Sequence, residues 1–229
     1  MLSLLRSARK GESVYIECPK CGKWVYASKE SCPNCGSPRD SWLPERAKLP
    51  VPEADERTFT MGVWGGEAIA WRVLGVAEDH LFAISECGLD CVKFNEERSK
   101  GNDWETSDLK AWLEQTFLPR AFSDSERARI DEITCLTSLE AATCFANNRD
   151  RLCIPTKYAV GRGVFVLKDA YLGGEQVRKG TGACHWWLRS PGTDSDDAAE
   201  VGVEGLVFHI GWPVDSEVTA VRPAIWVKR

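Results

Sequence analysis

Between Thr58 and Glu86 apolar and polar residues trade places with a period close to two. The stretch reads "TFTMGVW", a Gly65-Gly66 break, "AIAWRVLGV", a break at Asp79, and then "HLFAISE". Alternation of this kind marks strands, and the short polar breaks predict an antiparallel meander. In the middle run Trp71, Val73 and Gly75 fall on one face, and Arg72, Leu74 and Val76 on the other. Apolar residues on both sides predict that both faces are at least partly covered.

The period then lengthens. Leu109, Trp112, Leu113 and Phe117 form a helical stripe in "DLKAWLEQTF", with Ser107 placed to cap it and Pro119 placed to end it. "SDSE" (Ser123 to Glu126) and "TSLE" (Thr137 to Glu140) have the spacing of capping boxes and predict helices over "DSERARIDEI" and "SLEAATCFANN". From about residue 163 glycine-punctuated apolar runs return as "VFVL", "HWWLR", "VEGLVFHI" and "VRPAIWV". Strands, about three helices and strands again predict one α+β domain over residues 58–229, its first and last strands meeting in a sheet.

The N-terminal region follows another logic. "YIECPKCGKWVYASKESCPNCGSPRD" holds two knuckles, Cys18-Pro-Lys-Cys21-Gly and Cys32-Pro-Asn-Cys35-Gly. Each Cys-x-x-Cys turn offers two thiolates from one loop, and two turns complete the four soft ligands of a tetrahedral zinc ion. Glycine after each second cysteine frees the backbone to turn its amides toward sulfur. The segment between the pairs, with the strand-like "KWVYA", suits a hairpin that brings one knuckle beneath the other. Residues 1–40 are therefore expected to be a zinc ribbon with a short leading segment. The competing readings are a redox dithiol or two disulfides, but a redox pair needs only one such turn, at a helix start. Four cysteines close the coordination sphere, so the zinc is structural, and in so small a unit its binding supplies the folding energy. Residues 41–57, with Pro44, Pro50 and Pro52 among many charges, read as a stiff, solvated linker.

Composition narrows the function. The formal net charge is −5 over 229 residues, which argues against bulk affinity for nucleic acid. Residues 1–48 alone carry nine Lys/Arg against five Asp/Glu. Trp24 and Tyr26 can stack on bases, yet covering the metal site is the simpler role for them. No apolar run approaches the roughly 18–20 residues of a membrane span. "MLSLLRSARKG" places its charges after its apolar start, the reverse of a secretory signal. A soluble, cytoplasmic protein without a membrane partner is the expectation.

Candidate chemistry is sparse. "GGEQVRKGTG" has Lys179-Gly180-Thr181 where a phosphate loop needs Gly-Lys-Thr, and so reads as a hairpin turn. Cys87, Cys91, Cys135, Cys144, Cys153 and Cys184 are expected to be separate core thiols. In "CHWWLRSPG" a strand would send Cys184, Trp186 and Leu188 one way and His185, Trp187 and Arg189 the other, so Cys184 and His185 make a poor nucleophile and base. Trp186, Arg189 and Arg222 are read as structural anchors, with no catalytic residue assigned. The loop after that strand gathers Asp194, Asp196, Asp197 and Glu200. An EF-hand starting at Asp194 would need glycine at Ala199 and glutamate at Gly205, and the motif fails. "GWPVDSEV" adds a second polar loop with Trp212 and Asp215.

"GEAIAWRVL", "WETSDLKAWLEQTFLPRAFSDSE", "LTSLEAATCF", "HWWLRSPG" and "VRPAIWV", in that order, resemble a bacterial family of unknown function, over nearly all of residues 59–229. Glu114 and Cys144 stand where that family commonly has asparagine and tyrosine. The layout also resembles the C-type-lectin-like fold of formylglycine-generating enzymes and of retroelement variable proteins. That resemblance implies a ligand surface on the loops around the last strands, here Asp194, Asp196, Asp197, Trp212 and Asp215. Three functions follow, in descending order. The first is a non-catalytic module recognising a protein or other ligand, and the second a formylglycine-generating-type or other cysteine-dependent enzyme. The third is a nucleic-acid adaptor acting through the ribbon.

Overall fold

The computed structural model describes residues 15–18, 20–21, 23–26, 29–43, 45–52, 57–167, 170–172, 175–178, 180 and 182–229. Near the N-terminus, β1 (Tyr15–Glu17) and β2 (Trp24–Tyr26) pair as an antiparallel hairpin. The meander β3 (Thr58–Trp64), β4 (Glu67–Val76) and β5 (His80–Ser85) lies where the alternation places it. Two short strands follow, β6 (Cys87–Gly88) and β7 (Asp90–Cys91).

The helices keep their expected caps but not their expected lengths. Ser107 accepts the Lys110 amide and opens α1 (Asp108–Trp112). Pro119 does not end this helix. A turn of π-helix, Leu113–Phe117, widens the ladder ahead of α2 (Leu118–Ala121), so a ring with no N–H to give is tolerated in the first turn of α2. Both capping boxes form, at Ser123 with Glu126 and at Thr137 with Glu140. The first opens only a short helix, α3 (Asp124–Arg127), because Ile130 and Ile133 are taken into β8 (Ile130–Thr134). Tertiary pairing there overrides local propensity. The second opens α4 (Ser138–Thr143), followed by α5 (Asn148–Arg151), β9 (Ile154–Pro155) and α6 (Lys157–Arg162). The glycine-rich segment is a hairpin of β10 (Ala170–Leu172) and β11 (Glu175–Arg178); Gly173, Gly174, Lys179 and Thr181 lie outside the described residues. Five strands finish the chain: β12 (Trp186–Pro191), β13 (Asp197–Val201), β14 (Val207–Pro213), β15 (Ala220–Val221) and β16 (Ala224–Lys228).

These elements make an α+β architecture with mostly antiparallel sheets and few, short helices. One five-stranded sheet has the order β3-β4-β5-β16-β8, so the last strand lodges beside the meander. The other has the order β14-β13-β12-β15-β7, and only its β12–β15 pair is parallel. One core joins Trp71, Phe94, Leu109, Phe117, Trp187 and Ile225. A second joins Phe82, Ile84, Leu136, Trp186, Leu188 and Val201. The alternation of β12 divides its two tryptophans between these cores.

Residues 221–224, "VRPA", carry the chain from one sheet into the other. Arg222 is fully buried there. Its guanidinium donates to the carbonyls of Ser85 (2.9 Å), Arg151 (3.2 Å) and Glu86 (3.4 Å) and lies over the rings of Trp186 and Phe145. Burial lowers its pKa from the usual arginine value.

The stretch read as a solvated linker is partly packed down. Trp42 and Leu43 are buried, and Leu49 fills the space above Gly75. Arg46 lies over Phe82 and Trp226 and pairs with Glu132. Its proline and charge pattern hid these few apolar anchors. Pro44 and residues 53–56 lie outside the described residues.

Replacing Arg222 with methionine keeps the volume but removes the donors. The expected loss is about 3 kcal/mol, the cost of leaving several buried carbonyls without partners. Denaturant unfolding measures it, and an unchanged midpoint would show that those carbonyls find other donors.

Candidate functional site

The four N-terminal thiols converge. Cys18, Cys21, Cys32 and Cys35 place their sulfurs within 4.8 Å of one another. The Cys18–Cys35 and Cys21–Cys32 sulfur pairs are each 3.7 Å apart. A tetrahedron with zinc–sulfur bonds of about 2.3 Å has edges of about 3.8 Å, so this set fits zinc. The backbone makes the fit. Cys21 N–H donates to Cys18 O and Gly36 N–H to Cys32 O, closing the two knuckles. Gly36 takes φ +71°, which a side chain would resist. Gly22 lies outside the described residues, as does the side chain of Trp24. Hydrogen bonds from the Asn34 side chain and the Lys23 amide lower Cys21 to about 6. At Cys35 a lowering bond from the Ser37 amide is outweighed by burial and the other thiols, which push it up to about 12. Thiolates this close repel one another until a dication joins them. Val25 and Trp42 pack with the cysteines, against Leu139, Ala142 and Val207.

The second concentration of functional groups surrounds β14. This strand is outermost in its sheet, and among the described residues no strand lies beyond it. Its alternation leaves Phe208 at 41%, Ile210 at 62% and Trp212 at 46% exposure. Two of these cover polar neighbours. Phe208 is cross-strand to Glu200, and Trp212 stacks on His185 with ring centroids 5.9 Å apart. His185 Nδ1 meets Glu200 Oε1 at 2.8 Å, and that carboxylate is buried. A bulge positions the tryptophan, because β14 carries extra residues opposite the Ala198 to Glu200 step. Gly211 sits in that bulge at φ +94°, where a side chain would strike Ala198 O and the Gly192 α-carbon, and one on Gly192 would strike the carbonyls of Ile210 and Asp197.

The two polar loops named from the sequence meet at this end of the sheet. Arg98 joins them, with Nε 2.9 Å from Asp215 and Nη1 3.7 Å from Asp196. The Asn102 amide donates to the backbone carbonyls of Asp194 and Asp197, both at 2.9 Å. The Asp194 side chain is exposed. Burial, then the charges of Asp196 and Asp194, raise the pKa of Asp197 above the ordinary carboxylate value. Arg98, Asn102, Phe208, Ile210 and Glu200's bond to His185 were not read from the sequence as site features. The stripe could have been found by carrying the period of two through "VFHIGWP".

Two of the three anchors, Trp186 and Arg222, occupy the interior, and Arg189 is half-buried. Trp186 is fully buried and donates from Nε1 to Arg151 O. Arg189 reaches Glu140 at 3.4 Å and Glu132 at 3.7 Å. His185 and Cys184 face opposite sides of the sheet, toward Glu200 and toward the second core respectively. A cleft of 630 Å³ lies elsewhere, lined by Arg57, Arg72, Glu86, Phe145, Cys144 and Asp150 among others. Its best-placed charges are already paired, Arg72 with Glu86 at 2.9 and 2.5 Å. Among the described residues no helix is long and apolar enough to cross a membrane.

Two outcomes follow from this geometry. The chain should carry about one zinc per molecule, and Cys18→Ser with Cys32→Ser should abolish it while residues 58–229 stay folded. Elemental analysis beside circular dichroism tests this; metal retained by the double variant would sink the assignment. At Asp197 the folded pKa lies above the unfolded one, so the group favours folding most below about pH 4 and loses that contribution as pH rises through its raised pKa. Asp197→Asn should therefore melt no lower than the parent at neutral pH and lose less stability on going from acid to neutral. A clearly lower melting temperature at neutral pH would mean that the ionised carboxylate is needed.

Residues 78–150, from just before β5 into α5, match a family profile described as Domain of unknown function (DUF6273). No curated protein matches the chain. No solved structure matches it either. The similarity thus covers a middle stretch of the chain and stops short of both the cysteine cluster and β14.

Proposed function

We propose that the chain is a non-catalytic recognition module that binds an extended segment of a partner protein along β14, with a structural zinc ribbon at its N-terminal end. The exposed stripe Phe208, Ile210 and Trp212 on an outermost strand carries this reading. Sheet edges with large apolar side chains are normally covered or broken by charge, because they template a further strand. Here the apolar positions repeat every second residue, which suits a partner strand whose alternate side chains are apolar. Arg98 already holds Asp196 and Asp215, while the exposed Asp194 carboxylate favours a basic residue at that end of the partner.

In this reading residues 58–229 are a C-type-lectin-like domain and residues 1–40 a zinc ribbon. The last strand lodged against the meander supports the first assignment, and the sulfur spacing supports the second. Cysteine chemistry at the cleft has less support. Cys144, the thiol that lines it, is pushed up to about 12 by burial.

Selection of a displayed random peptide library on the full chain tests the proposal. Enriched peptides should alternate apolar residues and carry a basic one, and Ile210→Lys with Trp212→Ala should weaken them at least about tenfold, each anchor contributing about 1–2 kcal/mol. Peptides that bind the double variant equally well would overturn it. So would a dimer in sedimentation that the same substitutions dissolve, since the stripe would then belong to a second copy.

A further inference from the structure

Two thiols that lie far apart in the sequence share one buried point. The Cys184 amide donates to Cys153 O at 2.8 Å, which makes the two residues backbone neighbours, and the Cys184 thiol lies 3.4 Å from the same carbonyl. A side-chain carbon placed on Gly88 would lie 3.4 Å from both sulfurs, so they border the same spot. Neither is a packing thiol of the isolated kind. Burial raises the Cys153 thiol, but the neighbouring Cys184 and the charge of Arg222 outweigh it, so Cys153 ionises below the usual value, while Cys184 is held above its own. One thiol is thus poised as nucleophile and its neighbour keeps a proton to give.

The cover over this pair is thin. β6 and β9 are joined through only two residue pairs, Cys87 with Ile154 and Gly88 with Pro155. Ile154, next to Cys153, is 47% exposed, and Cys87, next to Gly88, is partly exposed. Short strands with exposed side chains open locally far more often than a core strand does, and a small oxidant needs only such an opening.

We propose that Cys153 and Cys184 form an oxidisable dithiol that a peroxide converts to a disulfide. The Cys153 thiolate attacks the peroxide oxygen; the O–O bond breaks, the sulfur becomes a sulfenic acid, and the leaving oxygen takes a proton as water or alcohol. The Cys184 sulfur then attacks the sulfenic sulfur, the S–S bond forms, and the sulfenic oxygen departs as a second water with the Cys184 proton. The two thiols lose two electrons and two protons, and the peroxide takes up both. The product ties the segment after α5 to the start of β12.

The test uses the full, zinc-loaded chain, fully reduced and then treated with hydrogen peroxide. After quenching, the protein is denatured, its remaining thiols are alkylated, and its peptides are mapped by mass spectrometry. Cys153 and Cys184 should disappear together from the alkylated pool and reappear as one cross-linked peptide lighter by two hydrogens. A Cys87→Ser chain should give the same product. Retention of both thiols in alkylatable form would overturn the proposal, and so would pairing of Cys153 with Cys87. So would an equal yield of the same cross-link when the chain is oxidised in denaturant, because folded geometry would then contribute nothing. The parent chain alone decides the first of these outcomes, so the result does not depend on any variant folding.

Discussion

The fold turns on one buried cation. Arg222 is where β15 of one sheet gives way to β16 of the other, and its guanidinium satisfies carbonyls from two otherwise separate segments. A charge taken so far from water is tolerated only when its donors are used and aromatic faces surround it. Trp186 and Phe145 supply those faces, so β12 and the end of α4 are positioned by the same residue. Pro223 follows at once, and the Ser85 amide bonds its carbonyl. The junction therefore sets the spacing of the two sheets and, through β12, the place of everything that hangs from the second one.

From that anchor outward, order gives way to exposure. β12 is covered on both faces, β13 carries the buried Glu200, and β14 ends the sheet with its aromatic stripe in solvent. The polar pair His185–Glu200 sits at the transition, its imidazole roofed by Trp212. A rigid interior strand holding an edge strand is the arrangement in which a binding surface keeps its shape without a ligand. The loops on either side are held by Arg98 and Asn102, and the acidic cluster read from the sequence is partly neutralised from within.

Much of this was legible in the residues, because short-range rules wrote it. The period of two placed β3, β4 and β5, and serine and threonine placed the starts of α1, α3 and α4. Paired Cys-x-x-Cys turns gave the thiol cluster, since each knuckle is local and only their docking is not. What escaped were contacts set by tertiary pairing. Ile130 and Ile133 looked helical until β16 claimed them, and Leu49 and Arg46 looked like linker until the sheet beneath them was present. The meeting of Cys153 with Cys184 depends on the crossing of chain segments that no spacing rule connects. Charged Arg98 gave no sign that it would bridge two loops on the far side of the domain.

The position of β16 also governs how the molecule comes together in time. It pairs with β5 on one side and β8 on the other, and the Arg222 contact to Ser85 spans 137 residues. Until β16 arrives, the meander and β8 each present an open hydrogen-bonding edge with an apolar face behind it. Pairing over such distances must wait for a long loop to close, and closure is slow. A nascent chain that has not yet reached β16 is therefore a half-sheet with two unpaired borders, open to strands of its neighbours. Here the segment that completes the sheet is made after both strands it pairs with.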